Sequence, residues 1–530
     1  MRKKKQVNRL ISSMIFSLVA MSALSQVSSG RPTLIVGISI DQLRGDYLDL
    51  LQSQFGNGGF KRLMAEGAHL DNVVFDMAQL DKTTSTAVIY TGTYPNVNGI
   101  TGATVYNEEA RRVTLILNDP KFIGNATDET LSPMAIKVST ISDELRMDNN
   151  GIGDVYAIAP DAQQAILMAG HAANGAFWIS DKTGKWASST FYKDYPTTIS
   201  TRNMLMPLRS RLDTLTWRPS MDINKYPDIP LHRTFYPFKY TFKDGDGVEK
   251  FKSSALVNEE ITSVAINCLN DMALGKRATV DMLNIAYTAA PYGYASDNDS
   301  RIELQDKYLR LDHQLERLFA AIEKNVGGNA CIFVTPTGYF DDMYATDPRF
   351  NIPTGEFSSK KAVSLLNMYL MALYGNGSWV NGYFKEKIYL NEKLAKEKNV
   401  SVEELRKVSG AFLRRMAGVD EAYSVDEVLD NPVSETLLRL HKSITSQETA
   451  DVFLQIAPGW KVRDDYNNQQ QLKQVNINAV CAPAFIIAPG VKPQKITSPI
   501  DAALLAPTVA RILRIRSPNG ARMMPLSLKD

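Results

Sequence analysis

Between Leu34 and Ile40 seven apolar or small residues run without a charge and stop at Asp41. A continuous apolar run of this length reads as a strand covered on both faces, the habit of parallel sheets. A second such run, Ala330 to Thr335, follows a different pattern. Leu304, Tyr308, Leu311, Leu315, Leu318 and Ile322 recur at three- and four-residue spacing, which lines one face of a helix, and Gly327-Gly328 ends it. Helix and strand patterns alternate through most of the chain. The expected fold class is therefore α/β, with a mainly parallel central sheet flanked by helices. Residues just after such strands sit at the sheet's carboxyl edge, where open α/β sheets bind ligands, so the turn from Pro336 to Tyr339 is placed for chemistry.

Two stretches break the alternation. Residues 193–257 are rich in Pro, Tyr, Trp and Phe with weak periodicity, and are expected to form an inserted cap over the sheet edge. Residues 358–440 read as mainly helical, with a capping box at Ser401 and Glu404 ahead of Leu405, Val408, Phe412 and Met416. Asn467 to Gln471 has the polarity of an exposed loop, and no internal repeat is present.

The first 25 residues carry five basic residues and no acidic one around an apolar run from Leu10 to Leu24. That run is short for a membrane span and is followed by Ala23-Leu24-Ser25 ahead of Gln26, the pattern of a cleaved secretory signal. The expectation is a periplasmic or extracellular protein without a transmembrane segment after cleavage. Taking those five from the chain's 59 Lys and Arg leaves 54 against 57 Asp and Glu, so the mature chain is slightly acidic. On that balance neither nucleic acid nor an anionic membrane surface is an expected partner. Three cysteines, Cys268, Cys331 and Cys481, do not make a disulfide framework; the first two fall in apolar patterns and read as small core residues.

Several segments together carry a resemblance: LIVGISIDQLRGDYL ending its strand at Asp41, STAVIYTGTYPNVNGITG (Ser85 to Gly102), AGHAANGAFWISDKTGKWASSTFY (Ala169 to Tyr192), IELQDKYLRLDHQLERLF (Ile302 to Phe319) and CIFVTPTGYF (Cys331 to Phe340). NIPTGEFSSKKAVSLLNMYL (Asn351 to Leu370) and the close from Val491 to Gly520 extend it. The chain resembles the alkaline phosphatase superfamily, in particular its secreted phosphate-irrepressible bacterial branch and the nucleotide pyrophosphatase/phosphodiesterases. The resemblance implies one α/β domain over residues 31–530, with 193–257 and 358–440 as insertions. It further implies a site built from three Asp, three His and a nucleophilic Thr, holding two zinc ions that clamp the attacking and leaving oxygens.

Placed on those matches, the site is degenerate. The first metal-binding Asp is retained as Asp41, which could equally cap the helix that follows near Arg44. The nucleophile position is Lys82, with Thr83 and Thr84 beside it; a cation there would repel a divalent ion. The Asp and His of one ligand pair become Pro291 and Ala295, those of another become Thr337 and Gly338, and the last His becomes Cys481. The phosphate-holding Asn becomes Ala103, with Asn98 at the preceding His, while a Lys and an Arg become Asp161 and Gln163. Among the five histidines, His313 pairs with Glu316 within a helix and His171 reads as structural. Asp-rich YASDNDS (Tyr294 to Ser300) lacks the spacing of a calcium loop.

The expected function is a catalytically silent pseudo-phosphatase that binds an unidentified ligand or protein partner, with no resident cofactor. The alternative is a metal-dependent hydrolase of phosphate mono- or diesters, using Zn2+ with Thr83 or Thr84, Asp41, Cys481 and acids such as Asp341 and Asp342.

Overall fold

The computed structural model describes residues 30–530 apart from 109, 111, 231–236, 244, 297–298, 342–354, 431, 447–449, 467–472, 475–479 and 530. The signal-like segment, Asp342 and the Asn467–Gln471 loop lie outside the described residues. Among the described residues no helix is long and apolar enough to cross a membrane.

A ten-stranded sheet organises the chain. Its strands are β1 (Leu34–Asp41), β2 (Ala68–Leu70), β3 (Gly124–Asn125), β4 (Val155–Ala159), β5 (Gly175–Ile179), β6 (Trp186–Ser189), β7 (Asp281–Thr288), β8 (Ala330–Pro336), β9 (Ala484–Ile487) and β10 (Gln494–Ile496). They lie in the order β10-β2-β9-β8-β1-β7-β4-β5-β6-β3. The five central strands, β8 through β5, run parallel. Antiparallel pairings join β6 on one side and β9 on the other.

Both faces are covered. Leu34, Val36, Ile38 and Ile40 of β1 enter one core, and Ile35 enters the other, as the twofold alternation of strand side chains dictates. Gly37 has to be glycine: a Cβ there would lie 2.6 Å from Asn284 Oδ1 and 2.7 Å from the Tyr90 hydroxyl. The helices that matter for the site are α1 (Lys82–Thr91), α2 (Ala162–Ala169), α3 (Gly247–Ser253), α4 (Leu256–Asp271), α5 (Arg301–Val326) and α6 (Leu505–Leu513). The Leu304–Ile322 stripe is the buried face of α5, and Gly327 closes that helix.

The aromatic stretch 193–257 is packed into the main core through Ile199, Trp217, Phe238, Tyr240 and Phe251 rather than standing off as a lid. Trp217 and Tyr226 are anchored there by Asp306 of α5. Residues 358–440 are helix-rich, and Ser401 Oγ accepts from the Glu404 amide. The segment also supplies three strands of a four-stranded antiparallel sheet: Val380–Phe384 forms a hairpin with Lys387–Leu390, and Lys387–Leu390 and Val419–Ser424 flank Val452–Ile456. Those strands are short, so their twofold alternation is outweighed in the sequence by the longer helical repeats around them.

Candidate functional site

At the carboxyl edge of the parallel strands lies a cleft of about 280 Å³. Asp41 ends β1, Thr288 ends β7, and Pro160 and Asp161 follow β4. Lys82 opens α1, Gln164 lies in α2, and Lys252 and Ser253 close α3; all of these line the cleft together with Ala290, Pro291 and Tyr294. Of the positions expected from the sequence, the fold brings Asp41, Lys82, Asp161 and Pro291 to this one cavity.

Lys82 is held there by charge. Its ammonium donates to Asp161 Oδ2. Asp161 Oδ1 lies 2.8 Å from Lys252 Nζ, which also reaches Asp181 Oδ1 at 2.5 Å. Acid and base thus alternate in one chain, Lys82, Asp161, Lys252, Asp181. Burial acts against the Lys82 cation, but the Asp161 and Asp41 carboxylates outweigh it and hold the amine above its ordinary value. Burial likewise opposes the charge on Asp161, and the two lysines outweigh it, keeping that carboxyl well below the usual range.

Asp41 does not cap a helix. The helix Gly45–Leu51 begins at Arg44 without a side-chain cap. Instead Asp41 Oδ1 accepts from Thr337 Oγ1 at 3.0 Å and from the Tyr339 hydroxyl at 2.9 Å. Burial pushes the Asp41 carboxyl up, opposed by the Lys82 cation and these two hydrogen bonds. The next residue, Gln42, takes a left-handed φ of 58°. Its amide donates to Thr337 Oγ1 at 2.8 Å, and its carboxamide exchanges hydrogen bonds with Asp341. A left-handed non-glycine residue costs on the order of 1 kcal/mol, which this network offsets.

The other expected positions are occupied by structure. Thr83 Oγ1 donates to Gln163 Oε1 at 2.7 Å, and Gln163 Nε2 donates to the Ala103 carbonyl at 2.8 Å. Thr84 completes a capping box with Asp81. Gly338 has φ 73°, and a Cβ there would fall 2.1 Å from the Phe75 ring. Ala295 is half-buried against the main core. Cys481 is exposed, and its carbonyl accepts from the Gly45 amide at 2.9 Å. His171 is held by Asp143 and the Ile136 carbonyl, and His313 makes a surface pair with Glu316 at 3.6 Å.

Two cations escaped the sequence reading. Lys252 carries no local signature. Lys307 does: it falls three residues after Leu304 and four before Leu311, on the apolar stripe of α5. It is buried, donates to the Ser253 carbonyl at 2.8 Å and to the Ala290 carbonyl, and so ties two walls of the cleft together. Burial brings its amine down to about 7, although the Asp41 charge pulls the other way.

The fit of these residues to a pair of zinc ions is poor. Zinc takes carboxylate, imidazole or thiolate donors, at least three from the protein in most sites. At the six positions where the resemblance leads one to expect ligands, only Asp41 and Cys481 offer such donors, and the Lys82 cation acts on Asp41. Among the described residues no three His, Cys, Asp or Glu side chains are grouped to hold a metal ion.

A family model described as type I phosphodiesterase / nucleotide pyrophosphatase matches residues 35–479. The chain is 28% identical over 515 residues to alkaline phosphatase PhoV of Synechococcus elongatus, covering 93% of this chain and 92% of that one. It is 27% identical over 521 residues to a Myroides odoratus protein named calcium-transporting ATPase, covering 92% and 93%. The solved structure of wild-type alkaline phosphatase PafA superposes with a TM-score of 0.80 at 24% identity, covering 94% of this chain and 98% of that one.

Proposed function

Because the chain belongs to the type I phosphodiesterase and nucleotide pyrophosphatase family, within the alkaline phosphatase superfamily, we propose that it is a member whose hydrolytic site has been converted into a catalytically silent binding cleft. The observation that carries this reading is Lys82. Its ammonium ion is paired with Asp161, and on the placement that the resemblance implies these two residues take the positions of the nucleophile and of a phosphate-holding cation. A two-metal mechanism needs clustered cationic charge to stabilise the leaving and attacking oxygens. This cleft presents Asp41, Asp161, Asp181 and Glu249 against Lys82 and Lys252, an environment that disfavours a phosphate dianion.

The hydroxyls of Thr83 and Thr84 are engaged in structural hydrogen bonds, which supports silence over a displaced nucleophile. The reading includes secretion through residues 1–25, for which amino-terminal sequencing of the exported protein is expected to begin at Gln26.

The test is turnover of 4-nitrophenyl phosphate and bis(4-nitrophenyl) phosphate by the purified chain supplied with zinc. The expected rate is that of buffer. Turnover that disappears in Thr83→Ala or Thr84→Ala would establish the active hydrolase instead.

A further inference from the structure

Near-neutral overall charge conceals a strongly basic region at the end of the chain. From Ala502 to Lys529 there is no acidic residue, while Arg511, Arg514, Arg516, Arg522 and Lys529 are basic. The fold gathers four of these around one short helix. The inner face of α6, Leu505, Ala506, Val509, Ala510 and Leu513, is buried in the second core, which turns Arg511 outward. Arg514 ends the helix in a left-handed turn.

The chain then doubles back. Asn519 bonds with Ser139, Ala521 and Pro507 both pack where a side chain at Gly92 would project, and the Leu526 amide donates to Thr508 Oγ1 at 3.0 Å. Arg516 and Arg522 therefore lie beside the helix that carries Arg511 and Arg514. All four arginines are exposed, and among the described residues Arg511, Arg516 and Arg522 form no ion pair.

Acids on the adjoining helix Ile141–Asp148 do not neutralise them. Asp143 is buried against His171, Glu144 is buried against Ser139, and Asp148 pairs with Arg31. Apolar side chains stand among the cations: Met523 and Met524 are 41% and 85% exposed, and Met134 is 61% exposed in the segment whose Val138 packs on Gly520.

We infer that this face is a docking surface for an anionic phospholipid bilayer, with the arginines at the headgroups and the methionines entering the interface. Two features select a bilayer over a soluble polyanion. Basic side chains near an anionic leaflet each strengthen attachment, and exposed large apolar side chains gain only from a partner with an apolar interior. The tail is tied to α6 by the Leu526–Thr508 hydrogen bond and to Ser139 by Asn519, which holds Arg522 and the methionines on this side of the molecule. This attachment is independent of the cleft, and it holds whether or not the cleft is silent.

The experiment is co-sedimentation of the full chain with vesicles of phosphatidylcholine, with and without phosphatidylglycerol. Binding is expected only to the anionic vesicles and is expected to weaken as salt rises. Reversing three charges together, Arg511→Glu, Arg516→Glu and Arg522→Glu, should weaken it on the order of a hundredfold or more. Met523→Ser with Met524→Ser should weaken it several-fold with the melting temperature unchanged, because both side chains are exposed. No enrichment on anionic vesicles over neutral ones overturns the inference. So does vesicle binding indifferent to the methionine substitutions and matched by heparin, which would identify the face as a site for soluble polyanions.

Discussion

Thr337 Oγ1 donates a 3.0 Å hydrogen bond to Asp41 Oδ1, joining by direct contact two positions where the resemblance leads one to expect metal-binding carboxylates. The donor at Thr337 is neutral. Thr337→Asp is therefore expected to destabilise the protein instead of rebuilding a metal site, because two carboxylates would share one buried location with no ion between them. The wild-type melting temperature should be the same with and without EDTA, and zinc should not raise that of the variant. Linkage requires a bound ion to stabilise the folded state, so a zinc-dependent rise in either protein would refute this prediction.

Gly338 cannot take a side chain cheaply. Even Gly338→Ala meets two penalties, about 1–2 kcal/mol for a Cβ in the left-handed region and about 1–3 kcal/mol for forcing the Phe75 ring to move. Urea unfolding should show a loss of roughly 2–5 kcal/mol. A loss below half a kcal/mol would mean that Phe75 is free to swing away.

The alternating charges of the cleft predict an order among substitutions. Asp161→Asn removes the partner of two lysines that are not fully buried and should cost roughly 1–2 kcal/mol. Asp161→Lys supplies the sign expected there from the resemblance, yet brings three ammonium groups together and should cost clearly more. Equal unfolding midpoints for the two variants would show that the pairs contribute little.

Lys307 sets a pH dependence. Its folded-state value of about 7 lies below the ordinary lysine value, so between about pH 7 and 10.5 the unfolded chain binds more protons than the folded one. Stability should rise with pH across that window as the burial penalty is relieved. Lys307→Met removes the titration, and also two hydrogen bonds to carbonyls, so its absolute stability is ambiguous but its slope is not. The variant's unfolding free energy should be flatter than wild type from pH 7 to 10, as followed by denaturant titrations. Parallel slopes would contradict the assignment.

Long periodic elements were readable in advance for simple reasons. β1, α5 and β8 are each covered by a core on at least one face, so their burial is written as an apolar run or stripe, and even the Gly327 stop is explicit. The strands between Val380 and Ser424 were not readable, because each has few residues and two of them flank Val452–Ile456 far along the chain, a pairing of which local periodicity carries no trace. At the site, the residue types at the positions the resemblance implies could be read from the sequence. Their partners could not: Lys252 reaches Asp161 across 91 positions, and the ring that fills the space at Gly338 belongs to Phe75. Such partners are chosen by three-dimensional proximity, which a single sequence does not record. Lys307 is the exception, since a lysine on an apolar helical stripe announces a buried cation.

The Lys82–Asp161–Lys252–Asp181 chain also ties distant parts of the sequence to one another. Each member has a neighbour of opposite sign, so replacing any one by a neutral residue leaves a charge on the next unmatched. Lys82→Thr leaves Asp161 leaning on Lys252 alone, and a cation at position 161 confronts both lysines at once. A single replacement anywhere along it therefore unbalances side chains contributed by four separate segments. Such an arrangement is interlocked: a change at one member is expected to be tolerated best when its neighbours change with it.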